Sequence, residues 1–219
     1  MIAPTLEARR AFIVANTRRQ VPPHTPELSL HLADEITPIW RLTEDALAEI
    51  GIPPPFWAFA WAGGQALARY VLDNPAEVAG RRVLDFASGS GIVAIAAMRA
   101  GAAQVLAADI DPFCGAAISL NTMANGVDVA FTDRDLLEAA PPAVDVILAG
   151  DICYEKPLAD RVMAWLRQAQ DAGVRVLIGD PGRSYFPRHG LTKLCEYQVE
   201  TTRELEDMEV KKTAVWTLA

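Results

Sequence analysis

The sequence predicts an α/β fold in which a mostly parallel sheet ends in an antiparallel hairpin and a helical extension precedes the sheet. From residue 82 onward, short runs rich in β-branched residues alternate with helical patterns, which is typical of βαβ units. The last two strand-like runs, residues 195–202 and 209–218, are joined by the acidic turn segment 203–207 without a long helix between them, so they predict a hairpin. A chain of 219 residues is long enough for one such domain with its own apolar core.

The N-terminal residues 1–60 form a predicted helical cap. Residues 6–17 and 43–50 have helical patterns, and Val21-Pro22-Pro23 breaks the chain between them. A proline-rich connector follows, after which residues 61–72 have the apolar spacing of an amphipathic helix that opens the regular domain, residues 61–219. In that domain the predicted strands are residues 83–86, 105–108, 127–132, 144–149 and 174–178, and the predicted helices follow Gly91, Pro112 and Pro157.

The composition favours a folded protein that binds neither membranes nor nucleic acid. No apolar run reaches the ~20 residues needed to cross a bilayer, and residues 92–103, the longest candidate, are interrupted by Arg99. The formal net charge of −8 opposes binding to nucleic acid, because affinity for phosphate depends on clustered Lys and Arg. No secretory signal is visible, so we expect a cytoplasmic protein, or a mitochondrial matrix protein if the source is eukaryotic. We also expect a monomer.

The cysteines indicate neither a disulfide framework nor a metal site. Cys114, Cys153 and Cys195 are odd in number and widely spaced, and they form no Cys-x-x-Cys pair. The three histidines are equally scattered. We therefore expect buried free thiols and no metal.

A loop of small residues follows the first strand of the regular domain. In Asp85-Phe86-Ala87-Ser88-Gly89-Ser90-Gly91 the chain must turn sharply into a helix and let a ligand approach the backbone, which indicates a nucleotide-type cofactor. The loop also satisfies the dinucleotide pattern Gly89-x-Gly91-x-x-Ala94, with Asp109 roughly 20 residues further on. The glycines alone do not separate the two types of cofactor.

Asp85 decides between them. A carboxylate before the glycines would repel a pyrophosphate, whereas it suits the cationic amino group of S-adenosylmethionine. Asp109 follows an apolar strand and is placed to accept ribose hydroxyls of either cofactor. Asp135, after the third strand, is a candidate acceptor for the adenine amino group, and the alternative for Asp135 is a turn or helix cap.

An acid and a phenol follow the fourth strand. Asp151 and Tyr154 lie three residues apart just beyond the carboxyl end of that strand, at the edge where ligands bind in open α/β sheets. The alternative is that Asp151 caps the next helix and Tyr154 packs at the edge of the core. After an acidic glycine-rich loop, the functional interpretation is favoured.

Together these features resemble the seven-stranded protein-lysine methyltransferases, which combine an acidic glycine-rich first loop, an acid after the second strand and an Asp-x-x-Tyr motif after the fourth. Residues 70–75, 109–112, 118–121 and 177–183 extend the similarity towards members that act on the β subunit of the electron transfer flavoprotein. The most specific piece is 177–183, Leu-Ile-Gly-Asp-Pro-Gly-Arg, and the resemblance covers nearly the whole chain. It implies a Rossmann-like seven-stranded sheet, S-adenosylmethionine as cofactor, and a lysine of that flavoprotein subunit or of a ribosomal stalk protein as acceptor.

The resemblance also adds residues to the candidate site. It implies that Trp61 lines the cofactor pocket and that Gly150 lies under the adenosyl group, whereas Trp57 is predicted to pack. Ala87 stands where the family usually has the first glycine of its loop, so we expect the backbone there to avoid positive φ. The predicted cofactor-binding residues are Trp61, Asp85, Ala87, Ser88, Gly89, Gly91, Asp109, Ile110, Asp135 and Gly150, and the predicted catalytic residues are Asp151 and Tyr154.

Methyl transfer to a lysine requires a neutral amine. Deprotonating a free lysine of pKa near 10.4 costs on the order of 4 to 5 kcal/mol at pH 7, and a poorly hydrated channel beside a sulfonium lowers that cost. Asp151 acts in the opposite direction, because a carboxylate attracts the ammonium but also stabilises its charged form. We therefore predict that Asp151 captures and orients the amine, that Tyr154 completes the channel wall and that water takes the proton.

Three other functions fit parts of the pattern. A small-molecule N-methyltransferase acting on a nicotinamide-like base would use a closed aromatic pocket in place of a channel. A nicotinamide-dependent oxidoreductase would need a second nucleotide-binding half where the sequence predicts a hairpin. A module that binds the cofactor without catalysis is least favoured, because Asp85, Asp109 and Asp151 are all present.

Overall fold

The computed structural model describes residues 5–34, 39, 53–201 and 208–219. Its main sheet contains seven strands in the order β5-β4-β3-β6-β7-β9-β8, and the first five of that order are parallel. The strands are β3 Arg82–Phe86, β4 Gln104–Ala108, β5 Ala130–Thr132, β6 Val146–Gly150, β7 Arg175–Asp180, β8 Leu191–Glu200 and β9 Val210–Leu218. Both β7 and β8 pair with β9 in antiparallel register. The predicted fold class and the terminal hairpin are therefore confirmed.

Helices cover both faces of this sheet. They are α1 Leu6–Asn16, α2 Ala62–Asp73, α3 Ile92–Arg99, α4 Pro112–Asn125 and α5 Lys156–Asp171. Alternate residues of each parallel strand enter different cores: Val83 belongs to the cluster that contains residues of α1 to α4, and Leu84 belongs to the cluster under α5. Because the strands are buried on both faces, they are almost continuously apolar. None of the described helices is long and apolar enough to cross a membrane.

The N-terminal extension differs from the prediction. It contains α1, but Arg18–Gln20 (β1) and Leu30–Leu32 (β2) form a small antiparallel pair, with the predicted break at Pro22 and Pro23 in the connecting loop. Strands this short carry no detectable alternation, so the sequence predicted only helices. The helix predicted at residues 43–50 lies outside the described residues, as does the turn segment 203–207.

The extension shares a core with the regular domain. Ile13 of α1 and Trp57 are fully buried in the same apolar cluster as α3 and α4, and Trp57 stacks on Phe113 with ring centroids 5.9 Å apart. Packing was the role predicted for Trp57. The apolar core therefore crosses the predicted boundary at residue 60.

Glycines allow α2 to lie directly on the carboxyl ends of β6 and β7. A Cβ on Gly150 would lie 3.0 Å from the Cα of Gly64, and a Cβ on Gly179 would lie 2.9 Å from the Cβ of Leu67. A close backbone approach of this kind requires glycine. It places the N-terminal turn of α2 against the edge of the sheet where ligands bind in open α/β folds.

Candidate active site

A cavity of about 540 Å³ opens at the carboxyl ends of β3, β4 and β6. A smaller pocket of about 40 Å³ lies beside it and shares five of its lining residues, so the two form one continuous cleft. Predicted site residues that line the larger cavity are Trp61, Ala87, Gly89, Asp109, Ile110, Asp135, Gly150, Asp151 and Tyr154. Asp85 and Ser88 line the smaller pocket. The structure thus brings most of the predicted residues together.

Gly91 is the predicted residue that lines neither part of the cleft. It is the N-cap of α3 and has a φ of 79°. A Cβ there would lie 2.8 Å from Cγ1 of Ile118 in α4. The structure therefore explains this glycine by a left-handed backbone and by helix packing, not by contact with the cleft.

Ala87 has a left-handed backbone, with φ at 54°. The expectation that its backbone avoids positive φ is wrong. Ala87 is exposed and lines the cleft. The turn from β3 into the loop fixes this conformation, at a cost on the order of 1 kcal/mol relative to glycine.

Asp85 is a buried acid at the smaller pocket. It is 1% exposed, and its Oδ2 accepts a hydrogen bond of 3.0 Å from the backbone N–H of Ala94. Burial raises the pKa of its carboxyl to about 8, the Ala94 hydrogen bond opposes that shift, and the charge of Asp109 adds to it. Among the described residues, Asp85 forms no ion pair. A cation in this pocket would stabilise the carboxylate form.

Asp109 links two loops of the cleft. Its Oδ2 accepts from the backbone N–H of Gly89 at 2.9 Å, and its Oδ1 accepts from the N–H of Asp111 at 3.0 Å. Each carboxylate oxygen can accept a second hydrogen bond, so both remain suited to ribose hydroxyls. Ile110 follows at the rim with 71% of its surface exposed.

Asp135 caps a turn, which was the alternative role suggested by its sequence position, and it also lines the cleft. Its Oδ1 accepts from the backbone N–H of Leu137 at 2.9 Å and caps the 3₁₀ turn Leu136–Glu138. Arg161 pairs with the other oxygen at 3.5 Å. Since Asp135 also lines the cleft, the capping role does not remove it from the site.

The carboxylate of Asp151 is held from two sides. Its Oδ2 accepts from the backbone N–H of Gly64 at 2.9 Å, and its Oδ1 accepts from Nη2 and Nε of Arg183 at 2.7 and 3.2 Å. Its backbone has a φ of 56°, and the N-cap of α5 is Glu155. The alternative in which Asp151 caps the next helix is therefore wrong.

Arg183 is a cleft residue that the sequence analysis did not assign to the site. Its guanidinium lies 5.7 Å from the ring centroid of Trp61 and lines the larger cavity. The backbone N–H groups of Gly182 and Arg183 donate to Oδ1 of Asp180 at 2.7 and 2.8 Å, which fixes the turn after β7. The similarity of residues 177–183 to the lysine methyltransferases could have assigned Arg183 to the site. Its contact with Asp151, 32 residues earlier in the chain, is not visible in the sequence.

Aromatic rings form one wall of the cleft. The ring of Phe56 lies 5.8 Å from both Trp61 and Tyr154, and Nε1 of Trp61 donates to the backbone oxygen of Phe56 at 3.0 Å. Tyr154 is 49% exposed, and its partial burial, with the charges of Asp109 and Glu155, raises its pKa. Its hydroxyl is therefore protonated at neutral pH. Phe56 was not predicted, because it lies in the connector before the regular domain.

The cysteines are free thiols, as predicted. Cys114 and Cys153 are buried and Cys195 is half-buried. Burial raises the pKa of all three thiols. In the part of the chain that the structure describes, no group of three or more His, Cys, Asp or Glu side chains is placed to hold a metal ion.

Comparisons with known proteins point to methyltransferases. Residues 65–171 match the family model of the ribosomal protein L11 methyltransferase (PrmA). The electron transfer flavoprotein β subunit lysine methyltransferase of Mus musculus is 41% identical over 198 residues, which cover 88% of this chain and 76% of the relative. The Homo sapiens protein of that name is 40% identical, with 88% and 74% covered. The magnesium protoporphyrin IX methyltransferase of Synechocystis, solved with bound S-adenosylmethionine, has a TM-score of 0.52 at 17% identity over 72% of this chain and 80% of that chain, and so shares the fold.

Proposed function

Because this chain belongs to the electron transfer flavoprotein β subunit lysine methyltransferase family, we propose that it methylates lysine side chains of that flavoprotein subunit. The methyl donor is S-adenosylmethionine, which supplies a methyl group activated by its sulfonium charge. The observation that carries the proposal is the buried acid of the smaller pocket, Asp85, in a chain whose relatives are lysine methyltransferases.

The cleft fits this cofactor along its length. Asp85 offers a carboxylate to the cationic amino group, and Asp109 offers two acceptor oxygens to the ribose. In this proposal Asp135 accepts from the adenine amino group, and the backbone of Gly150 lines the cleft beneath the nucleoside. A pyrophosphate would meet the same buried acid at the glycine loop, which disfavours a dinucleotide.

The acceptor end is the part of the cleft between the aromatic rings and Asp151. Phe56 and Tyr154 offer ring faces that attract an ammonium and exclude water from its surroundings. Both oxygens of Asp151 already accept hydrogen bonds, but a carboxylate has about four acceptor positions, so Oδ2 can also orient an amine. Loss of the proton to water before transfer gives the neutral nucleophile.

The direct test uses the purified chain, labelled S-adenosylmethionine and the purified electron transfer flavoprotein β subunit. We expect label on lysines of the subunit, identified by peptide mass, and loss of most label when Asp85→Asn replaces the wild-type enzyme. A parallel reaction with the ribosomal stalk protein tests the second predicted substrate.

A second experiment incubates a cell extract with labelled S-adenosylmethionine, with and without the enzyme. A labelled small molecule in the absence of any labelled protein would exclude protein-lysine methylation. It would favour the small-molecule N-methyltransferase instead.

A further inference from the structure

Asp151 raises a difficulty for lysine methylation that its surroundings resolve. An isolated carboxylate in a poorly hydrated cleft would hold an incoming lysine as ammonium, because the opposite charge favours the protonated form. The protonated amine has no lone pair for the methyl group. A carboxylate that orients the amine therefore needs its negative charge to be offset.

Arg183 and the first turn of α2 provide that offset. Nη2 and Nε of Arg183 both donate to Oδ1 of Asp151, at 2.7 and 3.2 Å, with the two side chains only 19% and 10% exposed. Gly64 donates to Oδ2 from the N-terminal turn of α2, where the helix dipole is positive. Two positive partners thus bracket one carboxylate.

The structure holds Arg183 rigidly. Asp180 accepts from the backbone N–H groups of Arg183 and its neighbour Gly182, and the guanidinium lies over the Trp61 ring at 5.7 Å. Since the side chain is ordered before any substrate enters, little conformational entropy is lost when the amine binds. Lysine could supply the charge at this position, but not the two planar donors, Nη2 and Nε, that pair with Asp151.

On β3, on β7 and in the loop after β6, the described titratable groups near Asp151 are acids, a thiol and a phenol. On the β7 side lies Asp180, whose pKa is raised to about 7 by burial and by the charge of Asp151. In the loop after β6, burial raises the pKa of Cys153 to about 12, and Tyr154 stays protonated. From β3, Asp85 shares the smaller pocket with Asp151. These groups are acids or neutral. Arg134 and Arg161 also line the larger cavity, and Arg161 pairs with Asp135, whereas Arg183 pairs with Asp151 itself.

We propose that Arg183 is a positioning residue that fixes the Asp151 carboxylate and offsets its charge, so that the acceptor lysine is oriented without being held as ammonium. This inference rests on the proposed lysine methylation. It assigns to Arg183 a role in the protonation state of the substrate, which a purely structural ion pair would not have.

The test is the pH dependence of kcat for methyl transfer to the flavoprotein subunit by the wild type, Arg183→Gln and Arg183→Lys. Removing a cation next to the bound amine raises the pKa of that amine. In Arg183→Gln we expect kcat to fall about tenfold at pH 7, with the midpoint of its rise moved up by about one pH unit. The two curves should therefore approach each other at high pH. Arg183→Lys keeps the charge, so its midpoint should stay at the wild-type value while its rate falls by about threefold or less.

Unfolding temperature and affinity for S-adenosylhomocysteine serve as folding controls for both variants. A folded Arg183→Gln that loses the same factor at every pH, with its midpoint unmoved, would overturn the proposal and leave lysine methylation intact. A wild-type enzyme that labels no protein lysine at any pH would overturn the proposed function and this inference together.

Discussion

Two adjacent glycines in the first turn of α2 allow a matched test of how tightly that helix packs over the site. A Cβ on Gly63 would lie 2.6 Å from Oδ2 of Asp151 and would overlap the carbonyl oxygen of Gly179. The nearest atom to a Cβ on Gly64 is Cγ2 of Ile92, at 3.4 Å, which is an ordinary contact. Gly63→Ala and Gly64→Ala therefore add the same methyl group, in the first case against packed atoms and in the second where there is room for it.

The expected magnitudes follow from these contacts. Alanine is about 1 kcal/mol better than glycine inside a helix, so Gly64→Ala should raise the free energy of unfolding by up to about 1 kcal/mol. In Gly63→Ala the same gain is opposed by overpacking, which costs about 1 to 3 kcal/mol. Relief is difficult here, because Arg183 holds Asp151 and the second obstacle is strand backbone. We expect the free energy of unfolding of Gly63→Ala to be about 2 kcal/mol lower than that of Gly64→Ala.

Denaturant unfolding of the two variants measures this difference, and label transfer measures its effect on the site. Relief of the Gly63→Ala overlap must displace the Asp151 carboxylate, so we expect methyl transfer to fall about tenfold or more. Equal stability of the two variants, with undiminished transfer by Gly63→Ala, would refute the close approach of α2 to β6 and β7.

Three further predictions concern the acids of the cleft. Asp151→Asn should reduce transfer by about two orders of magnitude, roughly 3 kcal/mol, and should preserve S-adenosylmethionine affinity in calorimetry; a matching loss of affinity would make Asp151 a cofactor ligand. Asp85 has a folded pKa raised to about 8, so its stabilising contribution is complete at low pH and is lost as pH rises towards 8. Without cofactor, Asp85→Asn should therefore have a free energy of unfolding at pH 8 at least about 1 kcal/mol above that of the wild type. The variant should also bind cofactor more weakly. If the wild type instead gains stability from pH 5 to pH 8 relative to Asp85→Asn, the predicted direction of the pH dependence is wrong. The wild type should prefer S-adenosylmethionine to NAD by at least about tenfold, because Asp85 faces a cation in one and phosphates in the other; equal or tighter NAD binding in calorimetry would contradict the cofactor assignment.

The sequence predicted the sheet well because its signals are local. Apolar runs bounded by small or polar residues identify β3, β4, β6 and β7, and two strand-like runs separated by a short acidic segment identify the hairpin of β8 and β9. The family resemblance was likewise confirmed by relatives near 40% identity. By contrast, β1 and β2 have three residues each, and their pairing depends on contacts across a loop.

The candidate site was predictable where a residue follows a strand directly. Asp85, Asp109 and Asp151 take their positions from strand ends, so their place in the cleft followed from the topology. Arg183 and Phe56 reach the cleft from separate parts of the chain through tertiary contacts that no local pattern encodes. The backbone of Ala87 was predicted wrongly for a different reason: the turn after β3 imposes a positive φ that alanine does not favour.

The position of Phe56 in the connector before α2 has a consequence for how this enzyme could acquire new acceptors. The residues proposed to hold the donor come from the ends of β3 and β6 and from the loops after β3, β4 and β5, whereas the proposed acceptor wall begins in the connector that precedes α2. Trp61 joins the two, since its indole bonds to the Phe56 backbone and its ring meets Arg183. Sequence change in the connector can therefore reshape the opening for an incoming side chain while the nucleoside half of the cleft stays as it is.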